Sequence, residues 1–103
     1  MYNINMNDIA FEWDEHKNAI NIKKHGLSFE EAATVFYDNE AILFDDPDHS
    51  VDENRFLILG VSRNENLCIV SHCYKDSEYR IRIISARLAD KEEKEVYNEQ
   101  FLR

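Results

Sequence analysis

The sequence contains no apolar run that approaches the roughly 18 residues needed to span a membrane. Its first ten residues are polar and lack the hydrophobic core of a secretory signal peptide. From these two absences we expect a protein without membrane contacts, located in the cytoplasm.

Cysteine, proline and glycine are also scarce, with two Cys, one Pro and two Gly among 103 residues. Cys68 and Cys73 lie in one predicted strand and point to opposite faces, which predicts two reduced, partly buried thiols rather than a disulfide or a metal pair. The sequence has no glycine-rich phosphate loop, no CxxC and no HExxH motif. We therefore expect neither nucleotide hydrolysis by a P-loop nor zinc chemistry, and predict no metal site and no cofactor.

The length and composition predict one soluble globular domain over residues 1–103, because hydrophobic residues make up 44% and charged residues 32%. Residues 1–10 are expected to form a poorly ordered or edge segment. No repeat, linker or low-complexity tract divides the chain.

The formal charge of −9 is distributed unevenly. The part up to Asn54 has 13 acidic and 3 basic residues, whereas the part from Arg55 onward has 8 acidic and 9 basic residues and contains all six arginines. Such a chain is not a non-specific nucleic-acid binder, because its overall field repels phosphate. RNA would have to bind in a local arginine-lined cleft. The acidic part would meet a basic protein partner or remain a solvated surface.

Helix signals stand at both ends of the chain. Asp14 is a predicted N-cap for a helix that ends at Gly26, which supplies the left-handed residue after the helix. Ser28 with Glu31 predicts a capping box for a second helix, and Asp90 with Glu93 predicts another for a C-terminal helix.

Four strands are predicted between the second and the last helix, and the short turns that join the later ones favour antiparallel pairing. The resulting order is ααββββα. It predicts an α+β fold with a four-stranded antiparallel sheet and helices packed on one face. The predicted strands are residues 41–44, 55–62 and 67–74, and a fourth that begins at Tyr79.

The polar loop over residues 45–54 carries several acids and the only proline. Its acids suggest calcium, but the central glycine and final glutamate of an EF-hand loop are not in place. We interpret it as a solvated loop.

The last predicted strand has the most informative pattern, since apolar and charged residues alternate along it. Ile81 and Ile83 should face a core, while Arg80 and Arg82 should lie side by side on the other face, about 6–7 Å apart. Arg87 is expected just past the strand end. Two guanidinium groups on a rigid strand can clamp an anionic group such as a phosphate. The commoner alternative is a pair of solvated surface arginines.

Other side chains on neighbouring strands are candidates for the same site. His72 and Tyr74 share a face of the third predicted strand, and Arg55 adds a charge from the second. A histidine with arginines can cleave RNA without metal: the ribose 2′-hydroxyl attacks the phosphate, imidazole transfers protons and guanidinium groups stabilise the transition state. Taken alone, His72 is more often a half-buried structural histidine and Tyr74 an edge-packing aromatic.

Several segments form a pattern that covers about residues 11–97. They are, in order, Phe11-Glu12-Trp13-Asp14, Asn18, Lys24-His25-Gly26, Ser28-Phe29-Glu30-Glu31-Ala32, Asp46-Pro47, Arg55-Phe56 and Arg82-Ile83-Ile84-Ser85-Ala86-Arg87. Together, and in this order, they resemble the BrnT family of toxins. What the resemblance implies is a RelE-like ribonuclease fold and the function of a type II toxin that degrades RNA and arrests growth.

The same resemblance implies partners and site residues. The antitoxin would be BrnA, a ribbon-helix-helix protein that binds DNA, represses the operon and forms a complex with paired toxins and antitoxins. The implied catalytic residues are Arg82, Arg87 and Arg80. Arg55, Lys24 and His25 follow as RNA-binding residues, to which we add Tyr74. His72 is predicted to be a further catalytic residue, from strand geometry alone.

Two functions are therefore open. One is a metal-independent endoribonuclease toxin, and the other is a non-catalytic interaction module that acts only within an antitoxin or repressor complex. The strong negative charge and the lack of a sharply defined acid–base pair favour the second. The catalytic hypothesis fails if the arginines are splayed apart, or if ion pairs with their own chain hold them far from any histidine.

Overall fold

The computed structural model describes residues 2–6, 8–47 and 54–102. The acids of the polar loop that suggested calcium fall partly on residues 48–53, which lie outside the described residues. None of the described helices is long and apolar enough to cross a membrane. In chain order the elements are β1 (Tyr2–Met6), β2 (Ile9–Trp13), α1 (Glu15–His25), α2 (Phe29–Thr34), a 3-10 turn (Val35–Tyr37), β3 (Ile42–Asp45), β4 (Arg55–Val61), β5 (Leu67–Tyr74), β6 (Arg80–Leu88) and α3 (Lys91–Glu99).

The described strands form one six-stranded mixed sheet in the order β1-β2-β6-β5-β4-β3. The α+β class is confirmed, and so is the run of four strands after α2. The prediction of a purely antiparallel four-stranded sheet is wrong, because two further strands precede α1. β2 pairs with β6 in parallel, whereas the other neighbouring strands pair antiparallel.

The two faces of the sheet carry different helices, so the prediction that all helices pack on one face is wrong. Neighbouring residues of β4 show this, because successive side chains of a strand point to opposite faces. Ile58 belongs to the large core with Leu27 and Phe29 beside α1 and α2. Leu59 belongs to a second cluster with Tyr97 of α3. Helix α3 therefore lies across the sheet from α1 and α2.

The predicted helix ends are largely confirmed. The Asp14 side chain accepts hydrogen bonds from the first turn of α1, and Gly26 ends that helix at a φ of 68°. Asp90 and Glu93 form the capping box of α3. At α2 only half of the box forms: Ser28 caps the Glu31 amide. The Glu31 carboxylate instead accepts hydrogen bonds across the molecule from three side chains of the β4–β5 region, namely Ser62, Asn64 and Asn66.

The buried side chain of Asn21 attaches α1 to the open edge of β6. β2 covers β6 only over residues 80–82, so the backbone further along needs another partner. The Asn21 amide nitrogen donates to the carbonyl groups of Ala86 and Leu27, each at 2.8 Å. Its oxygen accepts from the Ala86 amide at 3.1 Å. One side chain therefore satisfies backbone groups that a further strand would otherwise pair.

We expect Asn21→Ala to lower the free energy of unfolding by about 2–3 kcal/mol, because it removes three buried hydrogen bonds and leaves their partners unsatisfied. Lys23→Ala, an exposed change in the same helix, should stay within about 0.5 kcal/mol. Denaturant unfolding of both variants measures the difference. Equal stability of the two would contradict this role of Asn21.

Candidate functional site

The pairing of β5 determines which side chains share a face. Ile69, Ser71 and Cys73 alternate along β5 and lie opposite Arg87, Ser85 and Arg82 of β6, respectively. Cys73 also lies opposite Arg55 of β4. Because directly opposed residues in a sheet share a face, Arg55, Arg82 and Arg87 stand on one face. We call this the arginine face; it is the one that α3 partly covers.

A β-bulge in β6 brings two of these arginines together. Ser71 pairs with Ser85, but His72 pairs with Ile83, so β6 has one additional residue, Ile84, at this point. Arg82 and Arg87 are five positions apart and would face opposite ways in a regular strand. The additional residue places both on the arginine face. The prediction that Arg87 follows the strand end is wrong, since β6 continues to Leu88.

Glu12 of β2 holds the first pair of arginines. It lies beside Arg82 in the parallel register and is only 7% exposed. Its Oε2 accepts hydrogen bonds from Arg82 Nε at 3.1 Å and Nη2 at 3.0 Å. Its Oε1 accepts from Arg80 Nη2 at 3.2 Å, and Arg80 also pairs with Asp76. The two arginines are thus side by side, as predicted, but share a carboxylate of their own chain.

Glu93 of α3 holds Arg87 in a bidentate ion pair. Arg87 Nη1 donates to Oε1 at 2.8 Å and Nη2 to Oε2 at 2.9 Å. The hydrogen bonds from Arg87 are the main cause that lowers the pKa of Glu93 and, in turn, raises the pKa of Arg87. The same Oε1 also caps the Asp90 amide, so this ion pair joins β6 to the start of α3.

His25 lies near Arg87, because the two residues line the same pocket. The C-terminal end of α1 brings it to a small pocket of about 90 Å³ whose wall includes Ser71, Ser85 and Arg87. His25 is partly exposed. The pocket thus joins an imidazole, two hydroxyl groups and a guanidinium group, a combination that can bind a phosphate and move protons.

His72 and Tyr74 lie on the opposite face, so the prediction that they join the arginines is wrong. His72 has no exposed surface and stands edge-on to Phe36 at a ring distance of 4.7 Å. Its Nδ1 lies 3.1 Å from the Val70 carbonyl, and its Nε2 lies 3.4 Å from the Tyr74 hydroxyl. Burial lowers the pKa of His72 to about 4. It is a neutral core residue that substrate does not reach.

The remaining predicted residues divide between two places. Arg55 lies on the arginine face beyond Cys73, in the row that also contains Arg82. Lys24 is exposed in the last turn of α1, next to His25. The structure therefore places Arg55, Arg80, Arg82 and Arg87 on one side of the sheet, and His25 lines a pocket there together with Arg87.

Residues 13–93 match the family described as "Ribonuclease toxin, BrnT, of type II toxin-antitoxin system". This chain belongs to the BrnT family. The family consists of ribonuclease toxins, and a type II system implies an antitoxin as the partner of the toxin. The match includes His25 and the arginines of β6. It confirms the family that the sequence motifs indicated.

The fold is similar to that of the crystal structure of the Brucella abortus ribonuclease toxin BrnT. The TM-score is 0.59 at 24% sequence identity, over 79% of this chain and 96% of that chain. At this identity the likeness shows the fold. Among curated proteins, none matches this chain significantly.

Sequence reasoning did not identify Glu12, Ser71, Ser85 or Glu93 as parts of this BrnT-family site. The alternation of Phe11, Glu12 and Trp13 was a signal for Glu12, because it places one acid on the face opposite two aromatic residues of a strand. The serines carry no comparable signal, since only the strand register places them beside an arginine.

The burial of His72 predicts a pH dependence of stability. Its pKa is about 4 in the folded protein against an ordinary value of 6.5. The unfolded chain therefore binds more protons between these values, and stability falls as the pH falls through that window, by about 3 kcal/mol at most. We expect His72→Phe to remove this part of the slope of unfolding free energy against pH.

Urea unfolding between pH 4 and 7 measures that slope for both proteins. Carboxylates whose pKa is lowered by folding contribute equally to both and cancel in the comparison. Tyr74→Phe changes a neighbouring ring, keeps the imidazole and should keep the slope. An unchanged slope in His72→Phe would show that another group titrates in this window.

Proposed function

We propose that this BrnT-family chain is a metal-independent endoribonuclease that cleaves RNA on the arginine face and thereby arrests growth. The observation that supports this most is the pocket in which His25, Ser71, Ser85 and Arg87 meet. It combines a proton-transferring group with a cationic group on the face that also carries Arg82. The site is proposed to act in the cytoplasm.

In the proposed reaction the RNA phosphate binds against Arg87. The ribose 2′-hydroxyl attacks the phosphorus and loses its proton, while the bond from phosphorus to the 5′-oxygen of the next nucleotide breaks and that oxygen gains a proton. The imidazole of His25 carries out one of these two proton transfers, a role that suits histidine near neutral pH, and water carries out the other. The Arg87 guanidinium stabilises the negative charge that builds on the phosphoryl oxygens. Arg82 and Arg80, with Arg55 beyond them and Lys24 near His25, bind the flanking phosphates.

The ion pairs of the arginines favour a second candidate function. Arg80 and Arg82 share Glu12, and Arg87 pairs with Glu93. An RNA phosphate must therefore displace a carboxylate from each of these arginines. If the phosphate does not displace it, the chain is a non-catalytic module that acts only by binding its antitoxin. RNA degradation by the purified protein separates the two functions.

The proposed partner is a BrnA-type ribbon-helix-helix antitoxin that neutralises the toxin. In this proposal toxins and antitoxins assemble in pairs, and the toxin meets DNA only through the antitoxin. The family supports an antitoxin; the ribbon-helix-helix type and the paired assembly follow from the resemblance of the motifs.

We expect Arg87→Ala and His25→Ala each to reduce the rate of RNA cleavage at least about 100-fold, because each removes a group that acts in the transition state. Arg63→Ala is the control, since Arg63 is exposed in the β4–β5 turn. Cleavage of a labelled RNA in the presence of excess EDTA measures all three. Activity that is lost with EDTA would contradict metal independence, and equal rates in all variants would contradict the site.

Growth arrest provides the corresponding test in cells. Induced expression of the chain without its antitoxin should stop growth, and Arg82→Ala should relieve the arrest because it removes a phosphate contact near the cleaved bond. Arg63→Ala should remain as toxic as the unmodified chain. Arrest that persists in Arg82→Ala at equal protein level would count against an RNA site on this face.

A further inference from the structure

An apolar groove runs along the arginine face beside α3. Its floor is formed by Leu57, Leu59 and Ile69 of the central strands, and its walls by Phe44 of β3 and Val96 of α3. It has a volume of about 380 Å³. Val96 is 45% exposed and Phe44 is 36% exposed, although both are large apolar side chains. This is the part of the sheet that α3 leaves uncovered.

The coverage of the two faces is unequal. The face with Ile58 and Val70 is buried under α1, α2 and the segment that follows them. On the arginine face, α3 buries a smaller cluster that includes Leu59 and Tyr97. An apolar sheet face is stable when a layer of secondary structure covers it. A second helix beside α3 would complete such a layer here.

The rim of the groove is acidic. Asp45 stands at one side, and Glu92 and Glu93 stand at the other. Glu93 pairs with Arg87, whereas in the described part of the chain no ion pair engages Asp45 or Glu92. An occupant with cationic side chains beside an apolar stripe would match this rim. RNA does not fit, because its phosphates would meet carboxylates, and a second copy of this chain would add its own charge of −9.

We propose that this groove binds an amphipathic helix of the antitoxin, whose apolar face covers Leu57 and Val96 while lysine or arginine side chains pair with Asp45 and Glu92. The inference rests on the antitoxin partner of the proposed function and not on the ribonuclease chemistry. A helix that lies in a groove through one apolar face is a common mode of peptide recognition.

The position of the groove explains how binding there would neutralise the toxin. Leu57 and Ile69 line both the groove and the small pocket with His25 and Arg87. Glu93 lines the groove and pairs with Arg87. A bound helix would therefore lie directly beside the Arg87–Glu93 ion pair. RNA and the antitoxin would compete for adjoining parts of the same face.

Binding of the purified antitoxin of this system to toxin variants tests the proposal. Val96→Lys and Glu92→Lys should each weaken binding at least about tenfold, because one places a charge in the apolar wall and the other reverses a rim charge. Two matched controls should change it less than about threefold. Ile22→Lys alters a residue of α1 that is 44% exposed, and Glu95→Lys alters an exposed charge of α3 that does not line the groove.

Each outcome separates the docking surface from the ribonuclease site. Selective loss of antitoxin binding in the groove variants supports the proposal even if the toxin leaves RNA intact, which would overturn only the proposed catalysis. Unchanged antitoxin binding overturns the proposal even if RNA is cleaved. Sedimentation of the free toxin identifies the other occupant: a dimer that Val96→Lys dissociates would assign the groove to a second copy. If Val96→Lys, and none of the other variants, weakens RNA binding, the groove would be assigned to RNA. Assignment of the groove to a second copy or to RNA overturns the proposal.

Discussion

The pairing of β6 with two different neighbours is the constraint on which both the sheet and the site depend. β6 pairs antiparallel with β5 along most of its length and parallel with β2 at its start. Beyond the end of β2, the Asn21 side chain forms hydrogen bonds with the backbone of β6 at its open edge. The bulge at Ile84 then shifts the alternation of β6, so that Arg82 and Arg87 stand on one face. If the same residues formed a regular strand without the bulge, Arg87 would point into the core with Ile81 and Ile83, where an unpaired charge is prohibitive.

Local sequence signals predicted the helices that have capping residues and the strand in which apolar and charged residues alternate. Asp14, Gly26 and the Asp90–Glu93 capping box mark helix ends because their physics is confined to a few neighbouring residues. The alternation of Arg80, Ile81, Arg82 and Ile83 correctly separated the two faces of β6. The parallel pairing of β2 left no such mark, because five residues before a helix cap resemble an extended lead-in. The side on which α3 packs was also not predictable, since its contacts with the sheet, among them the Tyr97–Asp38 hydrogen bond, join distant segments.

The site shows where sequence reasoning fails more clearly than the fold does. His72 was assigned to the arginine face by assuming how β5 would lie against β6, and the register places it opposite Ile83, in the core. His25 was assigned to RNA binding by the resemblance alone, and only the direction of α1 in the fold brings it to a pocket that Arg87 also lines. Glu12 is distant in sequence from Arg80 and Arg82, and Glu93 is separated from Arg87 by a turn. The composition gives the number of charges but does not show which of them form ion pairs. Tertiary register decided each of these placements.

The carboxylates on the arginine face also determine which species the site can bind. Glu93 offers Arg87 a bidentate, singly charged partner, and a phosphodiester offers nearly the same geometry and the same charge. Exchange of one for the other therefore brings little net free energy, and a chain with a charge of −9 adds a general repulsion. In the proposed reaction, however, further negative charge collects on the phosphoryl oxygens during the attack of the 2′-hydroxyl. Arg87 then interacts more strongly with the five-coordinate phosphorane of the transition state than with Glu93. The Arg87–Glu93 ion pair therefore weakens binding of the ground state more than binding of the transition state. Interactions that differ in this way raise the rate of the chemical step, because catalysis depends on the difference between the two states.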